Sequence, residues 1–297
     1  MATTDLDPRL SWNLADMLRQ LFAFDFMVNA FRAGTIVAVL AGAIGWFMII
    51  RRETFAGHSL SVVGFPGAAC ALWLGVSTTL GYNLACGAAA LLFAWTQRRT
   101  GSLRLGGAEG SAAIGTLQAF ALASGLLFIS LSEGKASGVI TLLFGNFLSV
   151  TDSQVSALLA TAAIALAVVA VLGRPLMFAS IDIDVASARG VPVAMLSAVF
   201  LLVLGMTVAQ ASQITGSLLV FALLVVPPAT AQVVTANARA SLVLSMLFGV
   251  VVVWVGLAIS YFSDAPAGFW IATVAFTMYL TARVGASRGR GVVSAAS

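Results

Sequence analysis

Few residues in this chain can do chemistry. His58 is the only histidine among 297 residues, and it lies in the stretch "RRETFAGHSLSVVGFPGAAC", Arg51 to Cys70. A neutral imidazole suits zinc and related first-row metals, so His58 is a candidate ligand. The same ring can also line the end of a helix beside Arg51 and Arg52, and the sequence leaves both readings open. Glu53 lies five residues before His58 and points to another part of any helix they share, so it belongs with its arginines. Cys70 and Cys86 show no CxxC spacing and have no histidine beside them, so both read as buried small side chains.

The elements that position these residues are membrane helices. Hydrophobic residues make up 60% of the chain and charged residues only 9%, far from the roughly quarter-charged surface of a soluble domain. The net charge of +4 does not point to nucleic acid, because the arginines stand at the ends of apolar runs. Asp, Glu and Lys are missing from the interiors of those runs, which argues against a proton- or sodium-coupled carrier. With no P-loop, HExxH or GxSxG, the chain offers no nucleotide or hydrolytic site of its own, so it is not expected to be an enzyme.

A bilayer crossing takes about 20 apolar residues. Runs of that kind fall at 29–50, 58–78, 80–96, 110–131, 154–172, 192–210, 214–235, 240–262 and 267–283, which predicts about nine spans. Arg51, Arg52, Arg98, Arg99, Arg104, Arg174, Arg189, Arg239, Arg283, Arg288 and Arg290 crowd alternate connections. The others, "TTLGYN", "SEGKASG", "AQASQ" and "SDAPAG", hold only Lys135 as a base, so positive-inside bias places them outside and the C-terminus in the cytoplasm. Leu10 to Phe26 mixes charges with apolar residues and suits an interfacial helix. The expected division is therefore an N-terminal interfacial segment over 1–28, a transmembrane domain over 29–285 and a cytoplasmic tail over 286–297.

Three stretches break the simple pattern. "GVITLLFGNFLSV", Gly138 to Val150, is too short to cross, and counting it as a span inverts the arginine pattern downstream, so a re-entrant or broken helix is expected. In "GRPLMFASIDIDVASARGVPV", Asp184 to Ala188 can form a short helix along the membrane, stopped by Gly190, with Pro192 opening the next span; a long loop is the alternative. "GSLLVFALLVVPPATAQ" carries Pro227 and Pro228 in tandem, where a helix should kink or break, either as structure or as a gate.

"TFAGHSLSVVGFPGAA" resembles the signature of the permease subunits of zinc and manganese ABC importers, a small-Leu-Met-Gly-Asp-Ala-Leu-Ser-His pattern followed by Pro-Gly. Gly57, Leu60, Ser61, Pro66 and Gly67 match it. "GSLLVFALLVVPPATA" is similar to a second block at Gly216, Leu218, Leu219, Leu223, Leu224, Pro227, Ala229, Thr230 and Ala231. "LLFGNFLSVTDSQV" resembles a third, and "DIDVASARGVPV" the segment that touches the ATPase, with Asp182, Asp184, Arg189 and Gly190 as its candidate coupling residues. The pattern's aspartate and histidine, four residues apart, fall here on His58 and Val62, the main departure from it.

The resemblance implies an all-α polytopic permease like the vitamin and siderophore importers, working as a homodimer in the bacterial inner membrane. It implies a separate ABC ATPase that binds ATP, and an extracytoplasmic metal-binding protein. Asp152 then marks that protein's docking side, or caps the helix beginning near Gln154. No permanent cofactor is expected, and the cargo is a divalent metal, zinc before manganese because imidazole stands where the family has a carboxylate. The alternatives are a metal chelate such as haem or a siderophore, and an energy-independent channel.

Overall fold

The computed structural model describes residues 21–100, 108–132, 145, 147–263 and 265–294. Among these residues ten α-helices follow in order: α1 Asp25–Ile50, α2 Thr54–Leu74, α3 Thr78–Thr100, α4 Ala108–Leu131, α5 Asp152–Ile181, α6 Ile183–Ala188, α7 Val193–Thr215, α8 Ser217–Val234, α9 Ala238–Tyr261 and α10 Ala267–Ser294. No strand occurs among the described residues. All but α6 are long and apolar enough to cross a bilayer, giving nine spans among the described residues.

Helix α1 is the most buried span and α10 the least. Around α1 stand α5, α8 and α9; α2 packs on α3 and α4, and α3 on α7. Lipid tails are as apolar as leucine, so helices in a membrane associate by close backbone approach and polar contacts rather than by the hydrophobic effect. Gly67 of α2 and Gly81 of α3 do this: a Cβ on either would meet the other's carbonyl oxygen. The indole of Trp46 donates to Ser241 Oγ at 3.0 Å, and Ser245 donates to the Gly42 carbonyl at 2.7 Å, tying α1 to α9.

Counted through alternating spans, Arg51, Arg52, Arg174, Arg189, Arg239 and Arg283 fall at one end, called the inner end here. Arg32, exposed in the second turn of α1, stands outside that pattern.

Several expectations are corrected. The outer stretches "TTLGYN" and "AQASQ" are helical, belonging to α3 and α7, and their turns are shorter than expected. The α7–α8 turn is Gly216 alone, at φ 79° and ψ 156°, a conformation essentially open only to glycine. Helix α5 does not stop near Gly173 but runs 30 residues to Ile181. At 1.5 Å per residue that is about 45 Å, longer than the hydrocarbon core of about 30 Å, so its last turns carry α6 beyond the spans.

Helix α8 does not break at Pro227 and Pro228 either, and stays helical to Val234. Pro228 cannot donate to the Leu224 carbonyl. That carbonyl instead lies against Gly45 of α1, where a Cβ would collide with it, so the span keeps its course by packing its unpaired backbone against a glycine. Pro66 likewise sits within an unbroken α2.

Of the expected re-entrant stretch, 138–144 and 146 lie outside the described residues. Gly145 has φ 72° and fits against the Thr215–Gly216 backbone, and Phe147–Ser149 make one 3-10 turn. The interfacial helix expected from Leu10 lies outside the described residues up to 20; α1 already starts at Asp25. At the other end α10 continues to Ser294.

Candidate functional site

His58 sits in the second turn of α2, partly exposed, above a tight α1–α2 corner. Arg52 takes φ 58° in that corner, and Gly57 leaves room for the Met48 sulfur. Gln118 of α4 reaches across, with its Nε2 3.3 Å from His58 Nε2. The amide oxygen of Gln118 accepts from Ser59 Oγ at 3.0 Å. Phe221 of α8 places its ring centroid 4.6 Å from the imidazole. His58 Nδ1 is buried and has no hydrogen-bond partner among the described residues. Three helices thus converge on the lone histidine.

One turn below lies a second polar knot. Arg51 and Glu53 form an ion pair at 3.0 Å, and Glu53 is only 1% exposed. Arg51 also donates to Ser197 Oγ of α7 at 2.6 Å, and its guanidinium stands 5.1 Å from the Phe200 ring centroid. Gln97 of α3 donates to the same Glu53 oxygen at 3.4 Å. Burial pushes the Glu53 carboxyl above its ordinary value of 4.5, opposed by the charge and hydrogen bond of Arg51. Glu53 therefore belongs to its arginine and not to the imidazole.

The short helix α6 is capped at both ends by its own sequence. Asp182 accepts from the Val185 amide at 3.0 Å. At the other end Gly190, at φ 77°, donates to the Ser187 carbonyl at 2.9 Å, and Val191 donates to that of Ala186 at 3.0 Å, a Schellman pair. Ala186 is buried against Ala179 and Val193, which fixes α6 to the ends of α5 and α7. Asp182, Asp184, Val185, Arg189 and Gly190 face outward.

Asp152 is exposed in the first turn of α5, where Thr151 supplies the cap in a capping box with Gln154. Beside it at the outer end is a cleft lined by Thr79, Ser153, Gln154, Gln210 and Gln213. Two of its polar groups bond to each other, Thr79 Oγ1 donating to Gln213 at 2.7 Å, and Gln210 donates to Asn83 of α3 at 3.2 Å.

Gly57 therefore sits beside the His58 knot, and Pro66 and Gly67 lie further along the same span. Gly216, Pro227 and Pro228 belong to the α8 wall. Asp182, Asp184, Arg189 and Gly190 form a separate cluster at the inner end, and Asp152 stands at the outer end. Among the described residues no group of three or more His, Cys, Asp and Glu could hold a metal. Cys86 is buried as expected, whereas Cys70 is partly exposed; both are free. Gln118, Ser59, Gln97 and Ser197 were missed by the sequence reading. The usable signal was a lone carboxamide, Gln118, in an otherwise apolar run.

The class these features define is a helical, multi-pass membrane permease. The profile described as the ABC 3 transport family matches residues 23–286, and the chain belongs to that family. It is 29% identical over 270 residues to the "Manganese transport system membrane protein MntC" of Halalkalibacterium halodurans, covering 91% of this chain and 90% of the relative. It is 26% identical over 269 residues to the "Probable iron transport system membrane protein" of Haemophilus influenzae, covering 91% and 93%. The solved structure "PsaBC from Streptococcus pneumoniae in complex with Fab" superposes with a TM-score of 0.79 at 27% identity, covering 91% of this chain and 95% of that one.

Proposed function

We propose that this chain is the membrane subunit of an ATP-driven importer that carries a divalent first-row metal, zinc first and manganese next, into the cytoplasm. The observation that carries the reading is His58, the one histidine of a permease-family chain, held between α2, α4 and α8. Imidazole favours zinc over manganese, and here it occupies the place where the family pattern has a carboxylate. Manganese ranks second because relatives such as MntC carry that name.

In this reading the exposed, doubly capped α6 enters a groove of a separate ATPase, which binds and hydrolyses the ATP. The outer cleft beside Asp152 faces an extracytoplasmic metal-binding protein. Two copies of the chain pair in the bacterial inner membrane with their C-termini in the cytoplasm, so His58 occurs twice about the axis.

Elemental mass spectrometry of cells grown under chelation tests the assignment. Cells lacking the protein fall in zinc; wild type restores it, and His58→Ala, present in the membrane at the same level, does not. Equal restoration by both removes His58 from the path. No response of either metal overturns the cargo, and restoration only by a preformed metal chelate moves it to that class.

A further inference from the structure

The imidazole and the carboxamide of the upper knot are oriented by a third group. Ser59 is fully buried and its hydroxyl donates to Gln118 Oε1 at 3.0 Å. In this orientation of the amide its nitrogen faces His58 Nε2, at 3.3 Å. With the amide so turned, its N–H donates and His58 Nε2 accepts, the neutral tautomer with the proton on Nδ1; the opposite turn of the amide would pair with the other tautomer. The lone pair a metal needs is therefore held ready on Nε2, under an N–H···N contact longer than the usual 2.9–3.0 Å. A contact that long is easily displaced. The Gln118 oxygen keeps a second lone pair beyond the one Ser59 uses, so the amide that yields Nε2 can turn an oxygen to the same ion.

We infer that Gln118, on the neighbouring α4, is the specificity-determining partner of His58, and that this cross-helix imidazole–carboxamide pair stands in for a second ligand on α2. The inference rests on His58 lying on the metal path. Val62, one turn on from His58, is apolar and supplies nothing, and Glu53 is tied to Arg51 in the lower knot. The pair is uncharged. A neutral nitrogen and a neutral oxygen hold a zinc ion without the tight grip of a carboxylate, which suits a site that must release what it binds. A carboxylate in place of the amide adds a hard anionic oxygen, favouring manganese and slowing release.

The test measures initial uptake of zinc chloride and manganese chloride by cells whose only copy of the chain is wild type, Gln118→Glu, Gln118→Met or His58→Ala, with membrane levels matched. Gln118→Glu is expected to lower the zinc-to-manganese uptake ratio about tenfold, the size of a ligand-type change. Gln118→Met keeps the length and the α2–α4 packing but has no amide, and is expected to slow zinc uptake about fivefold by freeing the ring to change tautomer. If both Gln118 variants keep the wild-type rate and ratio while His58→Ala has lost zinc uptake, Gln118 is a bystander and the path through His58 stands. If His58→Ala transports normally, the underlying reading fails and this inference with it.

Discussion

Gly190→Trp is expected to abolish metal uptake and to leave the amount of protein in the membrane unchanged. Gly190 ends α6 at φ 77°, and a Cβ built there meets nothing within 4 Å. The added ring therefore points away from the protein and disturbs no span. Holding a side chain at positive φ costs on the order of 1–3 kcal/mol, which loosens the end of α6 without unfolding nine helices. On the proposed coupling role, the indole blocks the approach of the ATPase to the outward face formed by Asp182, Asp184, Val185 and Arg189. Gly190→Asn separates the two effects, because asparagine tolerates the left-handed region and is small. Uptake is lost with tryptophan and kept with asparagine. Wild-type uptake by the tryptophan variant contradicts the role given to α6.

Removing Arg51 has the largest expected effect on stability. Glu53 is buried at the inner corner of α1 and α2, and without Arg51 its remaining partner is the 3.4 Å contact from Gln97. Breaking a buried pair from one side costs about 3–5 kcal/mol, because the remaining charge has lost its compensation. Arg51→Ala also releases Ser197, and so loosens α7 one turn from its junction with α6.

The cost depends on pH in a defined direction. Burial already raises the Glu53 pKa in the folded protein, and loss of the opposing arginine raises it further. The folded state then binds the proton more tightly than the unfolded state, so stability falls as pH rises from the ordinary glutamate value of 4.5 towards the raised one. Thermal melts of the purified protein should show Arg51→Ala far below wild type at alkaline pH and closer to it at acidic pH. The double variant Arg51→Met with Glu53→Leu should recover most of the loss. A single variant that melts like wild type across the pH range shows that the pair is not needed for stability.

What was legible in the sequence was whatever depends on local chemistry. The spans follow from runs of about 20 apolar residues, and α6 follows from Gly190, which stops it, and Pro192, which opens the next span, whereas its start at Ile183 and its Asp182 cap were not read from the sequence. Local signals misled where a distant contact changed their meaning. "AQASQ" looks like a loop, yet Gln210 and Gln213 remain helical because Asn83 and Thr79 of α3 bond their amides. Gly173, Arg174 and Pro175 look like the end of a helix, but an interior proline removes one donor and α5 continues. Pro227 and Pro228 look like a break, and the carbonyl left unpaired by Pro228 is covered by Gly45, far away in sequence. Gln118 stands out in the sequence only as a lone carboxamide in its span, and its importance arises only where α4 meets α2 at His58.

On the proposed function, ATP hydrolysis on a partner drives zinc through this chain past His58. This is tested most directly in right-side-out membrane vesicles loaded with ATP, prepared from cells that make the chain with its ATPase and delivery protein. Zinc is expected to accumulate inside against its gradient only with ATP, and His58→Ala vesicles with equal protein are expected not to accumulate it. Zinc that merely equilibrates, at the same rate with or without ATP, would contradict the account and make the chain a channel.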